Sequence, residues 1–328
     1  MIESTSKLIK IFQNNRVEIT QLEQLQTELL EESTLSLTYL ILTVASCTIA
    51  TFGLITNSAA VIIGAMVIAP LMPPIRGLAY GALTGNVLLF RRGLIAIIFG
   101  TLLSIGLAYS LESLVRISTF DNEVLSRSKP TLLDLGIAVT AGSVGGYAKV
   151  KPQISGSVVG TAIAVALMPP ICVVGLGLAQ RNWSLSQGAA ILYLTNLLGI
   201  TLACMLTFLI MGYSPIKRAG IALFWTLLLT GILLLPLSVS FAQLVEQTNL
   251  ESSLKNALLT KTFTFGRLEL LKTDINWLTN PPQVRFIVRT KVPITSKQVG
   301  RLEKLVQKEM GQPFTLIFNI SQVKEVRK

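Results

Sequence analysis

From Ser33 to Ile75 the chain carries not one charged side chain, a run of a kind that a soluble domain has no use for. Comparable uncharged runs cover Gly93 to Leu111, Leu135 to Ala148, Pro152 to Gln180, Asn182 to Ile216 and Ala219 to Val245. A hydrocarbon core takes about 20 apolar residues per helix, so several of these runs are long enough to cross a bilayer. The whole composition agrees: 51% of the 328 residues are hydrophobic and 14% are charged. These features set the fold class as an α-helical polytopic membrane protein.

The runs are not independent. Ile63-Gly64-Ala65-Met66-Val67-Ile68-Ala69-Pro70-Leu71-Met72-Pro73-Pro74-Ile75 is echoed by Val159-Gly160-Thr161-Ala162-Ile163-Ala164-Val165-Ala166-Leu167-Met168-Pro169-Pro170-Ile171, 96 positions later. The same offset pairs Gly81 with Gly177 and Asn86 with Asn182. Each half reads as a span, a Pro-Pro-interrupted apolar segment (57–89 and 153–180) and another span. Repeat one covers 33–111, repeat two 131–211, and a seventh span 219–243 closes a membrane domain of 33–245.

Counting the interrupted segments as crossings places Arg91-Arg92, Lys149-Lys151 and Lys217-Arg218 on one face with the N-terminus. The opposite loops hold Arg116, Arg127, Lys129 and Arg181, the first three diluted by Glu112, Asp121 and Glu123. The positive-inside rule then puts the N-terminus in the cytoplasm and the C-terminal domain outside. An odd number of spans per half makes the repeats inverted. If each Pro-Pro segment is instead a re-entrant hairpin, the halves become parallel and the tail ends in the cytoplasm, an arrangement that the charge pattern opposes.

Proline removes a backbone donor and clashes with the carbonyl of residue i−4, so both interrupted segments should break near mid-membrane. Unpaired backbone at that depth is tolerated only inside protein or against a watery cavity, and two symmetric breaks are a pointer to a transport site. The half-helices starting at Pro73 and at Pro169 present positive dipole ends, and those ending near Ala69 and Val165 present free carbonyls. Arg76 comes just after the first break, while Cys172 holds the equivalent position in the second. A lone intramembrane cation is a functional candidate; snorkelling or a backbone carbonyl is the plainer fate. The candidate substrate-binding set is Asn57, Ser58, Gly64, Pro70, Pro73, Pro74, Arg76, Gly160, Pro169 and Pro170. Asn57 and Ser58, like Ser155 and Ser157, fit helix capping as well as ion coordination. Gly77, Gly81 and Gly85, with Ala60 and Gly64, are small residues at every fourth position, which suits close helix packing before any oligomer seam.

The chain has no histidine, which removes His-based triads and His metal sites, and no P-loop or dinucleotide fingerprint is present. No enzyme activity, cofactor or metal is expected, and nucleic acid is an improbable partner. Cys47, Cys172 and Cys204 each lie in an apolar run without ligand spacing and fit as core residues.

Residues 1–32, three basic and six acidic, lack the apolar core of a signal peptide; Leu22, Leu25 and Leu29 among glutamates suggest an amphipathic cytoplasmic helix. Residues 250–328, with fourteen basic and six acidic side chains, read as a soluble α+β domain. Its expected order is α-β-β-α-β. A helix covers Leu250–Leu259, strands cover Phe263–Leu271 and Gln283–Thr290, and a second helix is capped at Thr295-Ser296-Lys297-Gln298. That helix carries Val299, Leu302, Leu305 and Val306, and a last strand runs through Phe314, Leu316, Phe318 and Ile320. This order resembles the BON domain, a module of bacterial envelope proteins that implies contact with phospholipid.

Gly53-Leu54-Ile55-Thr56-Asn57-Ser58, Ile63-Gly64-Ala65-Met66 and Ala69-Pro70-Leu71-Met72-Pro73-Pro74-Ile75, with the second motif Gly160–Ile171, resemble the prokaryotic hydrophobic membrane-protein family known as domain of unknown function (DUF) 389. The resemblance covers 33–211. It implies a multi-pass protein of the prokaryotic plasma membrane and brings no activity with it.

The function these features favour is a secondary transporter or channel for a small charged solute, an anion by Arg76, in a homo-oligomer surrounded by lipid. The alternative is a non-transporting envelope scaffold or sensor whose C-terminal domain binds lipid or a partner.

Overall fold

The computed structural model describes residues 19–116, 120–151, 167–214, 220–239, 269–276, 281, 283–290, 295–310 and 313–322. Met1–Phe241 and Ala242–Lys328 are separate compact units.

The first unit is helical. Helix α1 (Ile19–Glu32) is the amphipathic segment anticipated, with Leu25 and Leu29 buried. Helix α2 (Leu37–Ile55) starts at Ser36, whose hydroxyl accepts from the Tyr39 amide. Helices α3 (Ala59–Ile68) and α4 (Met72–Thr84) form the first interrupted segment and meet at a bend of 52°. Next come α5 (Val87–Val115), the short α6 (Asn122–Ser126) and α7 (Leu132–Val150). Helices α8 (Met168–Ala179), α9 (Trp183–Ile210) and α10 (Gly220–Val239) complete the unit.

Among the described residues α2, α5, α9 and α10 are long and apolar enough to cross a membrane, and the bent α3–α4 pair makes a fifth at most. Seven were expected. One missing span is α7, and the other includes residues 152–166, which lie outside the described residues. Helix α7 has 19 residues but carries Asp134, Lys149 and the small residues Ala141-Gly142-Ser143 and Gly145-Gly146. These let α9 come close: a Cβ on Gly142 would stand 2.5 Å from the Ile200 carbonyl oxygen. A helix buried on its neighbour need not be apolar all round. The first part of the second interrupted segment, with Gly160, Ser155 and Ser157, lies outside the described residues.

The 96-residue offset recurs as local geometry. Asn86 caps α5 by accepting from the Leu89 amide, and Asn182 caps α9 by accepting from the Leu185 amide, both at 3.1 Å. Gly85 and Arg181, one residue before each cap, are both left-handed, with φ of 74° and 57°. Gly81 meets Phe90 and Gly177 meets Ser186, the equivalent pair. Helix α4 packs on α9, and α8 packs on α5 and α2, so each Pro-started helix lies against the other half.

In the second unit β1 (Glu269–Asn276) pairs antiparallel with β2 (Gln283–Thr290), and β2 pairs parallel with β3 (Thr315–Gln322), in the order β1-β2-β3. The crossover is α11 (Ser296–Met310), whose Leu302 and Val306 bury against Val284, Phe286, Val288, Phe314 and Leu316. The Thr295 cap holds: its amide donates to Gln298 Oε1 at 2.9 Å, and the Gln298 amide donates to the Thr295 carbonyl at 2.9 Å. The first strand continues past the expected end at Leu271 to Asn276, and residues 263–268 of the expected Phe263–Leu271 lie outside the described residues. Its place is fixed by the ladder to β2, from Glu269 opposite Arg289 to Asn276 opposite Gln283, with an irregularity between Leu270 and Lys272. Residues 250–259 and the Leu305 side chain lie outside the described set.

Candidate functional site at the first helix break

Helix α3 ends at Ala69 in extended conformation, φ −60° and ψ 122°, and α4 restarts at Met72 with proline in its first turn. Proline has no N–H, and the Ile75 amide already donates to the Leu71 carbonyl at 3.4 Å. The start of α4 is therefore a positive dipole end with few amides to offer a ligand. Its charge is supplied by a side chain, Arg76.

Depth is corrected by packing. Ser46, midway along α2, donates to the Ala65 carbonyl at 2.7 Å, so α3 reaches the middle of the bundle. Five residues past Ile68, however, the Pro73 carbonyl accepts from the Ser33 hydroxyl at 3.4 Å, just before α2 begins. A Cβ on Gly93, the residue after Arg91-Arg92, would stand 2.6 Å from the Pro74 carbonyl. Helix α4 thus starts level with the basic end of α5, away from mid-span depth. Across 69–71 the chain passes from extended backbone at Ala69 to right-handed helical backbone at Leu71, φ −80° and ψ −25°.

Arg76 is not alone. Its side chain is 17% exposed, and Nη2 lies 3.9 Å from Glu32 Oε2. Lys149, from the last turn of α7 and 10% exposed, donates to Glu28 Oε2 at 2.7 Å and to Glu32 Oε1 at 2.8 Å. Arg76 Nε is buried without a hydrogen-bond partner among the described residues. Two carboxylates of α1 therefore meet two cations from α4 and α7, one from each half of the repeat. Arg92 Nη1 donates to Thr34 Oγ1 at 3.3 Å at the same end. Sequence reading missed Glu28, Glu32 and Lys149 as a group. Its one available signal was that the charge rule had already placed all three on the face shared with Arg91-Arg92.

The predicted set divides. Pro70 and Pro73 are half-buried and Pro74 is buried, all beside Arg76. Asn57 and Ser58 sit at the other end of α2, 19 residues or about 28 Å away. There Asn57, left-handed at φ 52°, accepts from the Glu123 amide at 3.1 Å, satisfying an orphan N–H of α6; capping is its observed role. Ser58 makes no side-chain cap bond. Gly64 faces outward, with nothing within 4 Å of a Cβ there. Pro169 and Pro170 are buried at the start of α8. Cys172, at the position equivalent to Arg76, is buried with its Sγ 3.6 Å from Cys47 Sγ. Cys204 is also buried, so all three cysteines are core thiols.

The hydrogen bond from Lys149 holds the Glu28 carboxyl below its ordinary value of 4.5. A carboxyl lowered in the docked state stabilises docking above its free value and loses that contribution as pH falls through the docked one. Acidification from pH 5 towards pH 3 is therefore expected to release α1, read as faster hydrogen exchange over 19–32 with α2 unchanged. Equal exchange across that range would contradict it.

Among the described residues, four apolar helices of spanning length and a proline-started bent pair are compatible with a multi-pass α-helical membrane protein. Residues 66–202 match the family described as Domain of unknown function (DUF389), which bears out the family resemblance over that stretch. A relative in Methanocaldococcus jannaschii, named Uncharacterized protein MJ0678, is 30% identical over 165 residues, 50% of this chain and 51% of the relative. The chain thus spans about half the length of the curated relative it matches. No solved structure matches the chain.

Proposed function

We propose that this protein is a secondary transporter or channel for a small anion, with the first helix break and Arg76 as its site. The observation that carries this is a largely buried arginine at the positive end of a broken helix. Two inverted repeats suit the role. The residues before α2 meet the last turn of α7 through Lys149, and the residue after α2 meets α6, just before α7 begins, so α2 and α7 run oppositely. The exchange of α4 and α8 between halves fits an alternating pair. In this reading the Lys149 end is cytoplasmic in a prokaryotic plasma membrane and the α+β tail is external.

Purified protein in liposomes is expected to pass monovalent anions, tested with chloride, formate and acetate. Arg76→Ala, or Pro73→Ala with Pro74→Ala, should lower the flux at least tenfold with folding intact. Unchanged flux in both variants would remove the site.

The second reading, a lipid-binding envelope protein, is favoured by exposed Arg285, Lys297, Arg301 and Lys304 in a BON-like tail. Flotation of the full chain's tail-substituted form Lys297→Glu/Arg301→Glu with anionic vesicles is silent on this, because the spans bind lipid themselves. Protection of the tail from protease by anionic but not neutral lipid is the expected sign.

A further inference from the structure

We infer that Arg76 and Lys149 together form a binding site for a small monovalent oxyanion of carboxylate shape, occupied in this structure by the Glu32 side chain, so that α1 is a built-in competitor. This deepens the anion reading above and rests on it for the ligand's passage, though not for its binding.

Three observations converge. One Glu32 carboxylate bridges both cations, Oε1 to Lys149 Nζ at 2.8 Å and Oε2 towards Arg76 Nη2 at 3.9 Å, the arrangement a bound oxyanion would adopt. The Arg76 contact is long beside the 2.7–2.9 Å of a charge-assisted bond, and its Nε is buried without a partner among the described residues. Glu32 therefore neutralises the guanidinium without satisfying it. An untethered planar anion, free of the helix, can approach the fork through Nε and Nη2 together.

Charge selects valence. Arg76 and Lys149 face Glu28 and Glu32, and Glu28 stays on Lys149 at 2.7 Å when Glu32 leaves. The vacated site then carries one net positive charge, suited to one negative charge. Withdrawal is feasible because Glu32 is the last residue of α1 and its side chain is 37% exposed, whereas both cations are largely buried. The competitor is on the periphery and the receptor is in the bundle.

Full-length protein in detergent, titrated calorimetrically with sodium acetate, tests this. Glu32→Gln is expected to bind acetate about tenfold more tightly than wild type, since the tethered rival is gone. Arg76→Gln and Lys149→Gln are expected to lose saturable binding, and Arg76→Lys, which keeps the charge and loses the fork, to retain a weakened form. Acetate should also speed hydrogen exchange in the last turn of α1, residues 29–32, in the wild type while Glu28 keeps the rest of α1 docked; α2 and α9 should stay protected in the wild type and in every variant, a check that all are folded. Affinity in Glu32→Gln no better than wild type, or wild-type affinity in folded Arg76→Gln, overturns the inference. Acetate binding as expected with no flux in liposomes would retain this site and sink the transport reading. Arg76-dependent flux with unaltered affinity in Glu32→Gln would do the reverse.

Discussion

Leucine in place of Gly142 is expected to abolish recovery of folded protein. A Cβ at 142 would stand 2.5 Å from the Ile200 carbonyl oxygen, 2.8 Å from Ile200 Cα and 2.9 Å from Ala203 Cβ. The first two are backbone, which cannot swing aside, so α7 and α9 must separate along their contact. Overpacking costs about 1–3 kcal/mol where side chains can adjust, and more where they cannot. Little offsets it, because lipid is as apolar as a helix face and association in a bilayer depends on close packing and polar contacts. The 3.2 Å contact from Cys204 Sγ to the Gly142 carbonyl would go as well. Gly136→Leu supplies the control on the same helix, for nothing lies within 4 Å of a Cβ there. Fluorescence-detected size exclusion after extraction should show Gly136→Leu as a single peak and Gly142→Leu as aggregate. A monodisperse Gly142→Leu with wild-type melting would mean that α7 and α9 do not pack this way.

The repeat was legible in the sequence down to single residues because equal local chemistry makes equal local structure. Asn86 and Asn182 were paired by offset alone, and each proves to cap the long helix of its half. Arg76 was legible as an unusual charge, but its partner was not. An ion pair between residues 32 and 76 leaves no periodic trace, and amphipathic α1 advertises its leucines rather than its glutamates. The depth of the break was misjudged for a related reason. Proline fixes where a helix stops, while the depth of the restart depends on the short link after Ala69 and a 52° bend that only packing decides.

Helices α4 and α8 share their starting prolines and differ in the residue one turn later. One half supplies a cation there and an acidic helix to cover it; the other supplies Cys172, in contact with Cys47 of the first half. A repeated motif tolerates such asymmetry, since the prolines that start both helices are kept while the chemistry one turn later is set separately. The polar version of the turn places a cation, Arg76, on one side of the bundle. The other is left for helix packing, where Gly175 comes within 2.6 Å, by its Cβ position, of the Ile105 carbonyl.

Phe286→Ala is expected to unfold the C-terminal unit and leave the spans intact. Phe286 is 1% exposed at the centre of the small sheet and stacks on Phe318, ring centroids 5.2 Å apart at 29°. Truncating a buried phenylalanine removes roughly 3–5 kcal/mol. A folded domain holds only about 5–15 kcal/mol of net stability, so the loss consumes much of it. The core around Phe286 is drawn from β2, α11, β3 and Phe314 just before it. The membrane unit, whose core is a separate cluster, has no reason to unfold with it. Limited proteolysis should therefore clip Phe286→Ala beyond residue 242 at protease levels that spare the wild type, while the membrane unit melts at its wild-type temperature. Conservative Phe286→Leu should restore most of the resistance. Measured beside flux in liposomes, the same variant separates the two readings of function: anion passage that survives an unfolded tail belongs to the bundle and its arginine, whereas passage lost with the tail would make the α+β unit part of the mechanism.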